Sequence, residues 1–323
     1  MELPAALRHA VDTQLQGVPL ADLQRASSVL SQRYRAETRD GKWHLSDELA
    51  ANAYLAARLP ATFAAVVTAL QEAAQICPDF APRSHLDIGA GPGTAMWAAG
   101  SVWPHLQKAL LLEGSNAIRT VGEVLSAHAA IPDIEWRATD VTTGLNNAEA
   151  SSLVTLAYVL DELSEAERQK LIVQLWQLTE GMLVIIEPGT PAGWQRIMAA
   201  RAQLQALNAQ IVAPCTHEHA CGVQLPDWCH FSRRVARSKI HRLTKEADVP
   251  WEDEKFSYLA VSRQPVALNG KRVLMQPKSG GGKVHVKLCS PDGSVKESLI
   301  TKRDKALFAE ARRADWGDLL VAE

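Results

Sequence analysis

Apolar positions recur at helical spacing through the first 80 residues, predicting helices over Pro4–Gln16, Ala21–Tyr34, Ser46–Leu59 and an Ala-rich Pro60–Gln75 that ends before Pro78. From His85 the pattern changes to short apolar runs separated by helical stretches. Strands are predicted at His85–Ile88, Ala109–Glu113, Ile134–Ala138, Leu153–Tyr158 and Met182–Glu187, with helices at Thr94–Trp103, Asn116–His128, Glu165–Thr179 and Pro191–Asn208. Alternation of this kind predicts a parallel sheet covered by helices on both faces. Late strands follow at Phe256–Ser262 and Arg272–Gln276. Lys283–Cys289 and Ser294–Thr301 form a hairpin around Pro291-Asp292-Gly293, and a last helix covers Asp304–Ala314. The fold class read from this pattern is α/β: a Rossmann-like sheet with an N-terminal helical region, a Cys-rich insertion and a C-terminal β-hairpin extension. The boundaries fall at 1–80 for the helical region, 81–210 for the Rossmann-like domain, 211–254 for the Cys-rich basic insertion and 255–323 for the final strands and basic extension.

With 323 residues, 47% of them hydrophobic and 22% charged, the chain is able to bury a sizeable core, which excludes a disordered or collagenous protein. No apolar run approaches the roughly 20 residues of a membrane helix, so no membrane partner is expected. The first sixteen residues carry Glu2 and Asp12 against Arg8. They read as neither a secretory leader nor an Arg-rich transit peptide, which predicts a cytoplasmic location. The net charge of −2 hides an asymmetry: His230 to Arg313 holds 19 Lys and Arg against 9 Asp and Glu, the rest 15 against 27. A polyanion facing the C-terminal third explains this, and a solvated surface is the plainer alternative. Scattered bases near the start (Arg25, Arg33, Arg35, Arg39, Lys42) read as an ordinary solvated face.

The most specific local motif is Asp87-Ile88-Gly89-Ala90-Gly91-Pro92-Gly93-Thr94, set between a predicted strand and helix. Its three glycines permit a tight turn and close approach of the backbone to a ligand. Glu113 ends the next strand, 20 residues beyond Gly93, where a carboxylate accepts hydrogen bonds from both ribose hydroxyls of an adenosine cofactor. The acid directly before the loop resembles the first motif of S-adenosylmethionine-dependent methyltransferases. That resemblance implies a cofactor site built from Asp87, Gly89, Ala90, Gly91, Gly93, Glu113, Asp140 near the adenine, and Tyr158 at the fourth strand's end. A nicotinamide-binding Rossmann domain and a turn without ligand are the competing readings. The Asn/Asp-Pro-Pro-aromatic motif of amino-nitrogen methyltransferases is replaced by Tyr158-Val159-Leu160-Asp161. Asp161 and Glu162 are therefore the catalytic candidates for positioning an acceptor amine, or alternatively a helix cap. Methyl transfer relies mainly on alignment, so it requires no further base.

Cys77 reads as a small buried hydrophobe. Cys215, Cys221 and Cys229 follow C-x5-C-x7-C, and Cys289 comes after a further 59 residues. Three cysteines in so short a Pro- and His-rich stretch seldom arise from packing alone. Four thiolates suit a [4Fe–4S] cluster or an all-cysteine zinc site, with His217, His219 and His230 as substitute zinc ligands, and the absence of any metal remains a third reading. A nucleophilic Cys215, after Pro214, is the least favoured, because it lies a helix beyond the fifth strand.

Trp228-Cys229-His230-Phe231-Ser232, Arg237-Ser238, His241-Arg242 and Glu252–Tyr258, with Leu288-Cys289 before Pro291-Asp292-Gly293 and Ala311-Arg312-Arg313 before Trp316-Gly317-Asp318, resemble the mitochondrial small ribosomal subunit methyltransferase-like family and its bacterial relatives. The likeness runs from about residue 30 to Leu320. It implies a methyltransferase-fold protein that joins small-subunit ribosome assembly, binds rRNA and carries an iron–sulfur cluster on Cys215, Cys221, Cys229 and Cys289. The bases Arg233, Arg234, Arg237, Lys239, Arg242 and Lys245, with Lys271, Arg272, Lys278, Lys283 and Lys287, then become the rRNA-facing surface. A non-catalytic assembly factor and a small-molecule methyltransferase with structural zinc are the alternatives. The sequence is silent on oligomeric state.

Overall fold

A computed structural model describes residues 1–38, 40, 43–145 and 148–322; Arg39 and Lys42 lie outside the described residues. Four helices open the chain: α1 (Ala5–Gln14), α2 (Leu20–Arg35), α3 (Glu48–Ala57) and α4 (Leu59–Ile76). Asp47 caps α3 by accepting a hydrogen bond from the Ala50 amide at 2.8 Å, and Pro60 starts α4 where no amide donor is required. Nearly every residue from Leu59 to Leu70 is buried, so α4 is a core helix. Among the described residues no single helix is long and apolar enough to cross a membrane; α3 and α4 reach that length only together, across a 59° bend.

The main sheet takes strands β1 (Ser84–Ile88), β2 (Lys108–Glu113), β3 (Asp133–Ala138), β4 (Ser151–Ala157) and β5 (Thr179–Pro188) in parallel, with α5 (Thr94–Val102), α6 (Asn116–Ser126), α7 (Glu165–Gln177) and α8 (Pro191–Ala206) as crossovers. Three more strands join it: β6 (Gln210–Ala213), β7 (Phe231–Ala236) and the long β8 (Trp251–Ser262). Short α9 (Lys239–Thr244) lies between β7 and β8. The order is β3-β2-β1-β4-β5-β8-β6, with β8 antiparallel to its neighbours. This is the Rossmann-like methyltransferase sheet expected from the sequence. Both faces are covered: Met182, Val184 and Ile186 of β5 pack with α3 to α6, while Leu183 and Ile185 pack with α7 and α8. Burial on both sides explains why these strands read as unbroken apolar runs.

β6 and β7 lie end to end along the same edge of β8. Ile211 and Ala213 pair with Val261 and Ala260; Phe231 to Ala236 pair with Phe256 to Trp251. The loop between them leaves the sheet after Ala213 and re-enters it at Phe231. A second antiparallel sheet, of β9 (Lys271–Val273), β10 (Lys278–Gly280), β11 (Lys283–Cys289), β12 (Val295–Thr301) and β13 (Leu319–Leu320), closes over its own core with α10 (Lys305–Ala311). Val284, Val286 and Leu288 point inward at every second position of β11, as the period of a half-buried strand requires.

Candidate functional sites

The strand order reverses between β1 and β4, and a cavity of about 1020 Å³ opens at the carboxyl ends of these strands. Ligands of open α/β sheets bind at such a switch point. Gly89, Gly91, Glu113, Asp140, Tyr158, Asp161 and Glu162 all line it. Asp87, Ala90 and Gly93 stand behind this surface; all three glycines have positive φ, and Gly93 is the residue from which α5 starts. The Cβ position of Gly91 meets nothing within 4 Å, so a side chain there would project freely from the loop. Glu113 braces the loop: its Oε2 accepts from the Gly91 amide at 2.8 Å and its Oε1 from the Ser115 amide at 2.7 Å.

Asp87 is buried and accepts from the Thr155 hydroxyl at 2.7 Å. Burial outweighs that bond and pushes its carboxyl up to about 7. Asp140 lines the cavity while its Oδ1 accepts from the amide and hydroxyl of Thr142. Tyr158 sits in the left-handed region at φ 59°, which is unfavourable for a bulky side chain, and donates its hydroxyl to Glu254 at 3.1 Å. Asp161 and Glu162 occupy a 3-10 turn, Leu160–Glu162, directly after β4. Burial, then repulsion from Asp161 and Glu113, pushes Glu162 up to about 8.

Sequence reasoning missed the roof and far wall of this cavity. Tyr34, Trp43 and His44 come from the N-terminal region, and Tyr54 and Arg58 from the α3–α4 junction. Arg58 forks onto Glu254 at 3.2 and 3.5 Å. Tyr34, Tyr54 and Arg58 belong to helices or their ends, whose pattern announces only packing, and Trp43 and His44 lie between α2 and α3. No local motif marks them.

The loop from Pro214 to His230 brings Cys215, Cys221 and Cys229 to a second, small cavity of about 30 Å³, and Cys289 reaches it from the end of β11. Arg201, Arg272, His217, Ser257 and Tyr258 also line it. Burial pushes the Cys289 thiol up to about 11 and the Cys229 thiol well above its ordinary value, where the other three cysteines add repulsion. Among the described residues no three His, Cys, Asp or Glu side chains stand close enough to hold a metal ion as placed. The thiols surround a space and do not meet at a point. Trp228 packs beside this region, stacked on His230 at 5.0 Å and donating to the Gly189 carbonyl at 3.0 Å.

The bases that follow Cys229 are partly engaged, while Lys239 and Arg242 are exposed with no ion pair among the described residues. Arg234 pairs with Asp253, Arg237 and Lys245 with Glu252, Arg272 with Glu72 and Lys287 with Asp227. Lys278, Lys283, Lys296, Lys302, Arg303 and Lys305 are exposed and have no ion pair among the described residues. Lys283 pairs in register with Thr301, and Lys302 lies against Gly282, which gathers Lys283, Lys302 and their neighbours at one end of the small sheet, with Lys296 opposite Leu288 at the other end.

A family model described as mitochondrial small ribosomal subunit Rsm22 matches residues 48–321. The human ribosome assembly protein METTL17, mitochondrial, is 31% identical over 288 residues, covering 83% of this chain and 61% of that protein. The Rsm22-cox11 tandem protein 2, mitochondrial, of Schizosaccharomyces pombe is 24% identical over 325 residues, covering 84% and 43%. The chain thus spans less than two thirds of either relative. An O-methyltransferase family protein from Burkholderia thailandensis has a TM-score of 0.47 at 15% identity, covering 76% of this chain and 72% of that one. The cytoplasmic expectation is corrected by these findings, since the family description and both curated relatives are mitochondrial by name. An Arg-poor start to the chain does not decide location.

Proposed function

The chain belongs to the mitochondrial small ribosomal subunit Rsm22 family, and from that premise we propose a methyltransferase-like protein that binds S-adenosylmethionine in the switch-point cavity and acts on the assembling small ribosomal subunit through its rRNA. The observation that carries this reading is the meeting of the glycine loop, Glu113 and Asp140 on one cavity at the point of strand reversal. The residues fit the cofactor. The open Cβ direction at Gly91 leaves room for a ligand, Glu113 has lone pairs beyond those given to the loop amides, and Asp140 lies past β3 on the same wall. Bound there, the cofactor supplies an electrophilic methyl group on a sulfonium. Asp87, buried and near half-ionised at neutral pH, ionises fully when a cationic group is placed beside it. Asp161 and Glu162 position an acceptor nitrogen at the end of β4, and α2 with the α3–α4 junction excludes water.

The cysteine set fits a thiolate-ligated centre, with Cys215, Cys221, Cys229 and Cys289 as ligands. Four thiols around a space suit a polynuclear [4Fe–4S] centre better than zinc, which needs all four sulfurs about 2.3 Å from one point. Such a centre joins a loop of the main sheet to a strand of the small one and so fixes the small sheet, whose cationic end lies at the other end of β11, for rRNA.

A second reading, assembly without methyl transfer, is favoured by the name of the human relative. Titration with S-adenosylmethionine, followed by incubation with immature small subunits and radiolabelled cofactor, decides between them. Binding with label in rRNA supports the first reading. Binding of cofactor and subunit without label supports the second, and no cofactor binding overturns the cavity assignment.

A further inference from the structure

Three arginines are buried among the described residues, two on α8 and one on β9, and they differ in one respect. Arg196 is paired with Glu187 at 2.6 Å and Glu37 at 3.2 Å, and Arg272 with Glu72. Arg201, 3% exposed, has no carboxylate partner among the described residues. It sits on the buried stripe of α8 with Trp194, Ile197 and Leu204. Its Nη2 donates to the carbonyls of His217 and His219 at 3.1 and 2.9 Å, its Nη1 to Gln205 at 2.8 Å, and its Nε to nothing. A guanidinium stays charged in any protein, and a buried charge without its opposite is strongly unfavourable. The negative charge that balances Arg201 must come from the small cavity it lines.

Neutral thiols do not provide it. Four thiolates around a dication or an iron–sulfur core do, because the assembly keeps a net negative charge. We propose that Arg201 is the counter-ion of an anionic thiolate centre in the four-cysteine cavity, directing its free Nε–H toward the ligand sulfurs. This rests on the proposed role of the cysteines and adds to it a positioning residue that the C-x5-C-x7-C pattern does not contain. By its charge, Arg201 favours the more negative, reduced state of a redox-active centre and slows loss of the metal. Arg272, compensated by Glu72, contributes much less.

The test uses the full chain, reconstituted anaerobically with ferrous iron and sulfide, as wild type, R201M and R201K. In R201M the oxidised-to-reduced ratio at a fixed poise should rise at least about tenfold, or about 59 mV for one electron. Release of iron to a chelator should quicken by a similar factor, while the metal-free R201M melts no lower than metal-free wild type. R201K keeps the charge but loses the fork onto the two carbonyls, and should stay near wild type in potential. A purely structural arginine gives the opposite result: R201M and R201K equally impaired, metal-free and loaded forms destabilised alike, potential unmoved. That outcome, or a loaded R201M indistinguishable from wild type, overturns the assignment to Arg201 alone. A wild-type chain that retains no centre overturns the cysteine reading beneath it as well.

Discussion

Gly89 and Gly91 stand two residues apart in one loop, yet different constraints hold them. A Cβ on Gly89 would approach Val159 to 2.5 Å at φ 64°, whereas one on Gly91, at φ 55°, meets open space. Gly89→Ala should therefore cost about 2–3 kcal/mol, from left-handed strain plus steric overlap, and Gly91→Ala only about 1 kcal/mol. Gly91→Arg should keep most of the fold but abolish S-adenosylmethionine binding by filling the cavity. Thermal melts beside calorimetric titrations separate the two effects. Asp87 gives a second prediction. Its carboxyl lies near 7 in the free protein, and a bound cation draws it down, so cofactor binding releases a proton and tightens as pH rises through about 7. Asp87→Asn should bind more weakly and lose that dependence; an unchanged pH profile would place the cation elsewhere. For stability the sign is reversed at Glu162. Its folded value of about 8 stands above the ordinary 4.5, so the folded state holds the extra proton and stability falls between those values as pH rises. Glu162→Gln should remove that fall, as read from denaturant melts at pH values inside the window.

Among the elements, those with strong periodicity were legible. The helices and parallel strands from His85 to Asn208 follow directly from apolar runs and helical spacing, and the Pro291-Asp292-Gly293 turn marks the β11–β12 hairpin. The short elements that flank the cysteine loop were not. β6 has four residues, α9 has six, and β7 reads FSRRVA, a basic string in which only Phe231 and Val235 are buried. The outer half of β8, Trp251–Lys255, is exposed or half-buried and carries Glu252, Asp253 and Glu254, so its strand character lies in its pairing with β7. Arg201 did leave a trace, a charge on the apolar stripe Trp194, Ile197, Leu204 of α8, but a single sequence does not say what balances it. Phe231 anchors the return of the cysteine loop, packed at 5.3 Å from the ring of Tyr258. Phe231→Ala should cost about 3–5 kcal/mol and release Cys229 from its place. Metal content should drop while S-adenosylmethionine affinity stays, an outcome checked on one preparation by metal analysis and titration.

On the scale of the molecule, the sequence shows an excess of positive charge without showing where it is free. Ion pairs neutralise Arg234, Arg237 and Lys245 in the cationic run after Cys229, while Lys239 and Arg242 of α9 and a group of cations on the small sheet are exposed with no ion pair among the described residues. Affinity for rRNA should therefore respond to Lys283→Ala with Lys302→Ala, the salt slope falling by about two. Arg234→Ala, which removes a cation already paired with Asp253, should change it little. The small sheet meets the switch-point domain where Cys289 faces the loop that carries Cys215, Cys221 and Cys229, beside the Arg272–Glu72 and Lys287–Asp227 ion pairs, so the proposed rRNA docking depends in part on what those four sulfurs bind. Anaerobic purification of the full chain, with iron, sulfide and zinc quantified alongside Cys221→Ser, tests this most directly. Brown protein with about four iron and four sulfide per chain is expected, lost in the variant. Colourless protein, whether metal-free or holding a single zinc, would contradict it.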